Sequence, residues 1–405
     1  MKKNRKKILI LGASRYYLRS IEAAQRLGYH TIVIDRVDQS PGFRAAHEHA
    51  VIDITDYRQT LAFAREKRID GIAALNDYGV VTAAFVAENM GLVGLSTDQA
   101  KIATNKALMR EKWEERQQPN PRFRVVHSLD DCVAACRHIG FPVILKPAYS
   151  AGGSRGVTTI HHESEIEAGY AFATSFFADR TVLVEELLVG FEHSAEVIVY
   201  QGKGHVLAIS DKIKTPYPAR VDKSVIYPTL FEGDHLRKIE SVVRGAVEAV
   251  GIQNGCAHVE CCTLPSGEVK LFEFGARPGG GGTPDPIVPF VTGINEIEQY
   301  LSVCAGDAPS ALIPLSRQGC SYQFITPAPG RIRRIEGRED VGKMPGILDV
   351  ELFVHEHDEV KPVRVGSDRS GFIIAGGQTR EDAYRLGCLA ESTIRFYYDH
   401  ESKNQ

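Results

Sequence analysis

The chain has 405 residues, of which 43% are hydrophobic and 24% charged, and a formal net charge of −3. This is the make-up of an ordinary globular protein, long enough for about two to four domains. The charge balance argues against nucleic acid or an acidic membrane as a partner, and no apolar run approaches the roughly 18–20 residues that span a bilayer.

In chain order, the basic start Met1 to Lys7 is followed by an apolar run, Ile8 to Leu11. That run is too short for the core of a signal peptide, so it reads as a first buried strand, and the expected location is cytoplasmic. Gly12-Ala13-Ser14, an amphipathic helix through Leu27, a break at Gly28 and a strand Thr31 to Asp35 complete a βαβ unit. Gly12 stands without the Gly-x-Gly-x-x-Gly pattern, so a Rossmann-like shape is expected but not NAD binding. The pattern continues with Val51-Ile52-Asp53, a helix Tyr57 to Lys67, and a strand Gly71 to Leu75. Asn76-Asp77-Tyr78 follows at the strand's carboxyl end, where such sheets contact ligands.

The polar, proline-marked stretch Gln117 to Pro121 reads as a boundary. Beyond it the reading is α+β: a strand Val143 to Pro147, a glycine-rich turn Tyr149 to Gly156, a return Val157 to Ile160, and a strand Thr181 to Glu186. A further pair follows, Ala195 to Tyr200 with His205 to Ser210. From about residue 315 come short strands (Ser321 to Thr326, Leu348 to His355, Phe372 to Ala375). A last helix from Thr379 to about Arg395 opens with a Thr-x-x-acid cap. The eight cysteines include no Cys-x-x-Cys pair and read as reduced and buried. His47-Glu48-His49 and His355-Glu356-His357 lie in charged segments and read as solvated rather than metal-binding.

The most informative segments are His258-Val259-Glu260 and Leu271 to Gly282. Each carries a carboxylate, Glu260 and Glu273, on a hydrophobic strand, with Pro265-Ser266-Gly267 as the turn between them. A hairpin would set the two carboxylates side by side as hard oxygen ligands for Mg²⁺ carrying nucleotide phosphates. Arg277 would sit beside them as a charge clamp. Lys146 ends an apolar strand and suits a phosphate contact. Gly152-Gly153-Ser154-Arg155-Gly156 lets backbone N–H groups approach an anion, though it is no Walker A loop. Glu185-Glu186-Leu187-Leu188 leads from a strand to Glu192, an arrangement that can read adenine through backbone and ribose through a carboxylate. Lys106 opens a helix and, taken alone, reads as a surface lysine.

The order Lys106, Lys146, glycine loop, Glu185 to Glu192, Glu260, Glu273, Arg277 resembles the ATP-grasp superfamily over most of the chain. The first part resembles the N-terminal domain of biotin carboxylase and carbamoyl-phosphate synthetase. The segment Glu273-Phe274-Gly275-Ala276-Arg277-Pro278-Gly279-Gly280, with Thr292-Gly293-Ile294 after it, resembles the L-amino-acid ligase (dipeptide synthetase) branch. Gly275 stands where the superfamily motif has asparagine, which puts a second metal site in doubt.

The resemblance implies a Rossmann-like domain over 1–117, an ATP-grasp domain over 118–314 with a lid at about 120–187, and a small α+β domain over 315–405. Lys106 and Lys146 would contact ATP phosphates, and Ser150, Gly152, Gly153, Ser154, Arg155 and Gly156 would close over them. Glu185, Glu186 and Leu188 would hold adenine, with Glu192 on the ribose. Glu260 and Glu273 would bind Mg²⁺, or Mn²⁺ in its place. Arg277 would stabilise the reacting phosphoryl group, with Gly279, Gly280, Gly281 and Lys212 shaping the substrate pocket. The implied activity is ATP-dependent joining of a small-molecule carboxylate, an amino acid above all, to an amine through an acyl phosphate. The readings weighed against it are bicarbonate activation and nucleotide binding without turnover. The resemblance also allows a homodimer. Further pocket candidates are Asn76, Tyr78, Lys214, Tyr217 and Arg220, the last three on a charged, proline-rich segment Ser210 to Arg220 that reads as a loop.

Overall fold

The computed structural model describes residues 5–149, 152–216 and 219–399. Ser150 and Tyr217 lie outside these. Lys7–Leu11 forms a strand between two parallel neighbours, His30–Asp35 and Gly71–Ala74, with Glu48–Val51 at the edge beyond His30–Asp35. Ile8 to Leu11 are fully buried, the pattern of a strand covered on both faces. Asp35 accepts hydrogen bonds from the backbone N–H groups of Ala13 (2.9 Å) and Val37 (3.0 Å), so it holds the turn after the first strand. The edge strand starts three residues earlier than the sequence suggested. It carries His49 stacked on Phe43, and His47 stacks on His30. Asn76 caps the helix Asp77–Met90 by accepting from the Gly79 N–H.

The centre of the molecule is an antiparallel sheet of eight strands. Its order is Val269–Gly275, Gly255–Thr263, Phe191–Tyr200, Lys203–Lys214, Asp222–Tyr227, Gly319–Ile325, Gly371–Gly377, Ile347–Leu352. The last three come from beyond residue 315, so one hydrogen-bonded sheet runs through the boundary expected there. Lys203–Lys214 continues as strand through Ser210 to Lys214, which the sequence reading had assigned to a loop. The helix Gly233–Val250 buries Ile239, Val242, Val243, Ala246, Val247 and Val250 against this sheet, the spacing of one helical face.

A second antiparallel sheet stands apart, in the order Phe123–Val126, Val182–Glu186, Val143–Pro147, Thr158–Ile160. Leu129–Ile139 and Ile166–Ala173 pack on it around Cys132, Cys136 and Ile160. At the C-terminal end, Glu359–Val360, Gly330–Glu336 and Arg395–Tyr398 make a small sheet that the sequence reading missed. The final helix is Arg380–Thr393, and its cap Thr379 accepts from the Asp382 N–H at 3.1 Å. Seven cysteines are buried, but Cys388 is exposed, against the expectation for all eight. Among the described residues no helix is long and apolar enough to cross a membrane.

Candidate active site

Residues from the N-terminal sheet, the small antiparallel sheet and the eight-stranded sheet enclose one cavity of about 520 Å³. The hairpin that positions its carboxylates is the expected one. Gly255–Thr263 pairs antiparallel with Val269–Gly275, and Glu260 and Glu273 are direct cross-strand partners. The turn closes through Gly267 N–H donating to Leu264 O at 2.8 Å. Both carboxylates line the cavity.

Each acid has a cation against it. Glu273 accepts from Lys106 Nζ at 2.8 Å. Lys106 is 4% exposed, so it is a cavity residue and not the surface lysine its helical setting suggested. Glu260 accepts from Lys212 and, at 3.2 Å, from His258 Nε2. The other ring nitrogen of His258 donates to Glu196 at 2.6 Å. Burial alone would push the His258 pKa down, but Glu196 and Glu260 outweigh it and hold the ring cationic, with a pKa of about 9. Two adjacent carboxylates on one cavity wall fit a hard divalent cation that takes its remaining ligands from water and nucleotide phosphates. Among the described residues no group of three or more His, Cys, Asp or Glu forms a self-sufficient metal centre. A cation held here therefore depends on the ligand for most of its shell.

Lys146 comes from the small sheet. Its Nζ donates to Glu185 Oε2 at 2.8 Å, and Arg110 Nε donates to Glu185 Oε1 at 2.6 Å. Glu185 is 1% exposed. Its carboxylate is therefore the buried counter-charge of Lys146 and Arg110, while the residue itself lines the cavity. Glu186 likewise turns to Lys270 (2.5 Å) and Arg122 (3.0 Å). The cavity at this end is lined by Glu185, Glu186, Leu187 and Leu188, with Ile144 and Phe272 as apolar walls.

Glu192 lines the cavity between Lys214 (2.8 Å) and Arg220. Lys212 is buried and shared between Glu260 and Asp222, the latter at 3.6 Å. Its first role is thus to balance carboxylates rather than to stand free for substrate.

Arg277 is held by Asp77, which the sequence placed at a ligand-contacting strand end but did not pair with it. Its Nε and Nη2 donate to the two carboxylate oxygens of Asp77, both at 3.0 Å. Burial opposes the charge, and Asp77 raises the Arg277 pKa beyond its ordinary value. Gly275 explains how the pair fits. A Cβ there would lie 3.1 Å from Arg277 Cζ and 3.3 Å from Asp77 Oδ1. Gly275→Asn, which restores the superfamily residue, is therefore expected to displace the pair and destabilise the protein by about 1–3 kcal/mol. A thermal melt indistinguishable from wild type would refute this.

The glycine tract is partly committed. Gly279 N–H donates to Glu196 at 3.0 Å and Gly282 N–H to the Tyr322 hydroxyl at 3.4 Å, while Gly280 and Gly281 line the cavity. In the other loop Gly152 and Gly153 have φ of +71° and +74°, which only glycine adopts without strain. They line the cavity with Ser154, and Gly153 O accepts from Gly366 N–H at 2.8 Å, so the loop spans to the C-terminal segment. Arg155 points elsewhere, over the rings of Tyr78 (5.9 Å) and Phe177 (5.8 Å), and neither it nor Gly156 lines the cavity. A Cβ at Gly156 would lie 2.6 Å from Pro147 Cγ, so its place is one of packing. Tyr78 stays outside the cavity wall, whereas Asn76 is part of it.

Sequence comparison agrees with this layout. Residues 139–285 match the ATP-grasp domain, residues 21–94 the ATP-grasp N-terminal domain, and residues 323–399 the L-amino acid ligase C-terminal domain 2. The chain is similar to an alanine–anticapsin ligase of Bacillus subtilis, 29% identical over 60% of this chain and 57% of that protein. It is also similar to an L-arginine-specific L-amino acid ligase of Bacillus subtilis, 24% identical over 88% of this chain and 87% of that protein. Among solved structures, an L-amino acid ligase from Bacillus licheniformis superposes with a TM-score of 0.85 at 23% identity, covering 98% of this chain and all (100%) of that one. At that identity the likeness speaks for the fold.

Proposed function

Because the chain belongs to the ATP-grasp family and carries an L-amino acid ligase C-terminal domain, we propose that it joins an amino-acid carboxylate to an amine, with ATP converted to ADP and phosphate. The observation that carries this reading is the register pair Glu260 and Glu273 on one cavity with Lys106, Lys146 and Arg277. In this reading 1–117, 118–314 and 315–405 act as three units around that cavity, with 120–187 as the lid.

A carboxylate does not react usefully with an amine at neutral pH, because hydroxide leaves poorly. Transfer of the γ-phosphoryl group to the carboxylate makes an acyl phosphate. Negative charge on the transferring oxygens is then the main barrier, and positioned cations lower it. Lys146, braced by Glu185, and Lys106 face the phosphates, and Arg277, braced by Asp77, faces the transferring group. Glu260 and Glu273 would hold Mg²⁺, which when bound would supply further charge neutralisation on the phosphate oxygens. Leu187, Leu188, Ile144 and Phe272 hold the adenine, and Glu192 the ribose. The amine lone pair attacks the acyl carbon, the C–N bond forms, phosphate departs with the C–O bond electrons, and the amine loses a proton. The Gly152–Gly153 loop, tied to Gly366, excludes the water that would hydrolyse the intermediate.

The test is ADP and phosphate release from ATP and Mg²⁺ with pooled amino acids, with hydroxylamine added to trap the acyl phosphate as a hydroxamate. Amino-acid-dependent release is expected, and Lys146→Ala and Glu273→Ala should each lower it by about 10²–10³. Near-normal release by both variants would reject the site. Release with bicarbonate alone would replace the reading with a carboxylating one.

A further inference from the structure

A buried carboxyl group behind the cavity wall has no part in the chemistry above. Glu296 opens the helix Glu296–Cys304 and is 0% exposed. Among the described residues neither of its side-chain oxygens has a hydrogen-bond partner. The group that faces it is the carboxyl of Glu196, also 0% exposed, on the strand Phe191–Tyr200. Two facing carboxyls out of water cannot both be charged, so the pair holds a proton.

The hydrogen bonds say which of the two carries it. Glu196 Oε1 accepts from His258 Nδ1 at 2.6 Å, and Oε2 accepts from Gly279 N–H at 3.0 Å. Both bonds favour an anion at Glu196. Nothing comparable favours one at Glu296. Arg277, a cation whose field reaches it, is committed to Asp77 through Nε and Nη2. The Glu298 N–H in the same helical turn is already taken by the cap Asn295. Tyr227 and Cys256, buried near the pair, bring no positive charge. Burial, and then the charge of Glu196, push the Glu296 pKa well above the ordinary carboxyl range. A protonated Glu296 has one O–H to donate, and Glu196 is the acceptor it faces.

Glu196 is the joint between two walls of the cavity. It is the register partner of His258 on the neighbouring strand, and His258 Nε2 lies 3.2 Å from Glu260. On its other side the glycine tract runs so close that a Cβ at Gly279 would lie 2.6 Å from Glu196 Oε1. One carboxylate thus sets the tract after Arg277 against the strand that bears Glu260. His258 and Gly279 line the cavity, whereas Glu196 and Glu296 stand behind them. A hydrogen bond from Glu296 would fix the Glu196 rotamer from the rear.

We propose that Glu296 is a positioning residue that works as a neutral acid: its O–H donates to Glu196, which in turn holds His258 and Gly279 at the cavity wall. The catalytic consequence rests on the ligase reading, but the proton and the hold on Gly279 do not.

Two variants separate the acid from its shape. Glu296→Gln keeps the volume and supplies an N–H donor. Glu296→Leu supplies none, yet Glu196 keeps its other two hydrogen bonds, so the chain should still fold. The infrared difference between wild type and Glu296→Gln at neutral pH should contain a protonated-carboxyl C=O band from wild type. Hydrogen exchange in segment 279–282, read by mass spectrometry, should be about tenfold faster in Glu296→Leu and unchanged in Glu296→Gln. With amino acids and ATP, kcat should fall at least about tenfold in Glu296→Leu, with the KM for ATP within about threefold, and be largely restored in Glu296→Gln. A missing band would make Glu296 an anion and overturn the proposal. So would wild-type exchange in Glu296→Leu, or a Glu296→Gln variant as impaired as Glu296→Leu. Wild type without amino-acid-dependent ADP release would remove the ligase reading, and the band and the exchange would still decide the role of Glu296. Amino-acid-dependent release without the band would do the reverse.

Discussion

Glu185→Gln is expected to lose about 3–5 kcal/mol of stability at neutral pH, the cost of leaving buried cations without their counter-charge. The side chains involved are almost wholly out of water: Arg110 is 0% exposed, Glu185 1% and Lys146 9%. Arg110 cannot retreat, because Nη2 donates to the carbonyl of Phe272 at 2.5 Å and the guanidinium lies over Trp113 at 5.0 Å. A neutral amide at 185 keeps the shape but leaves two cations facing each other. The same group gives the pH signature. Burial works to raise the Glu185 pKa, but Arg110 and Lys146 prevail and hold it at about 2, well below the usual glutamate range. A depressed carboxylate contributes stability that is complete above its unfolded pKa and fades as pH falls toward the folded one. The gap between wild type and Glu185→Gln in denaturant midpoint should therefore be widest above pH 5 and narrow steadily toward pH 2. A gap under 1 kcal/mol at pH 7, or one that does not change with pH, would contradict this. The triad also carries one positive charge more than it balances, which in the proposed function would attract phosphate.

Much of this site was readable in order but not in pairing. The period and punctuation of Lys7 to Leu11, the hairpin between Glu260 and Glu273, and the cap at Thr379 are local signals, and the structure follows them closely. The braces are not local. Asp77 and Arg277 are 200 residues apart, Lys106 and Glu273 are 167 apart, and Arg110 and Glu185 are 75 apart. Nothing near Lys106 announces that it is buried, since burial is decided by a strand far along the chain. In the sequence Glu185 stands at a strand end that can present backbone groups to adenine, which says nothing of the partners of its carboxylate. Its neutralising role appears only once Arg110 is brought alongside. The C-terminal segment illustrates another limit. Its short strands were legible by alternation, but their joining to the central sheet, and with it the arrival of Arg369 in the cavity, depends on edge pairing that composition does not encode.

Arg277→Lys should lower ligase turnover by about 10²–10³ while changing ATP affinity no more than a few-fold. Arginine at this position meets several demands at once. Nε and Nη2 are committed to Asp77, and Nη1 donates to the Pro278 carbonyl at 3.1 Å. Of five N–H donors two therefore remain for a ligand, held in a plane fixed by Asp77. Lysine keeps the charge but has no fork, so it satisfies Asp77 or the transferring phosphoryl group and not both. In the proposed function ground-state nucleotide binding rests on the Lys146 triad on another element, so affinity for ATP should be largely retained. The defect should therefore appear in kcat. Asp77→Asn should show a milder fall, because the arginine remains but its plane is no longer fixed. The double variant should be little worse than Arg277→Lys alone, since the two residues act as one device and their losses are not additive. Steady-state kinetics on variants whose melting is within a few degrees of wild type decides the matter. A kcat for Arg277→Lys within tenfold of wild type would mean that charge alone suffices. The paired geometry with Asp77 would then be a feature of packing rather than of catalysis.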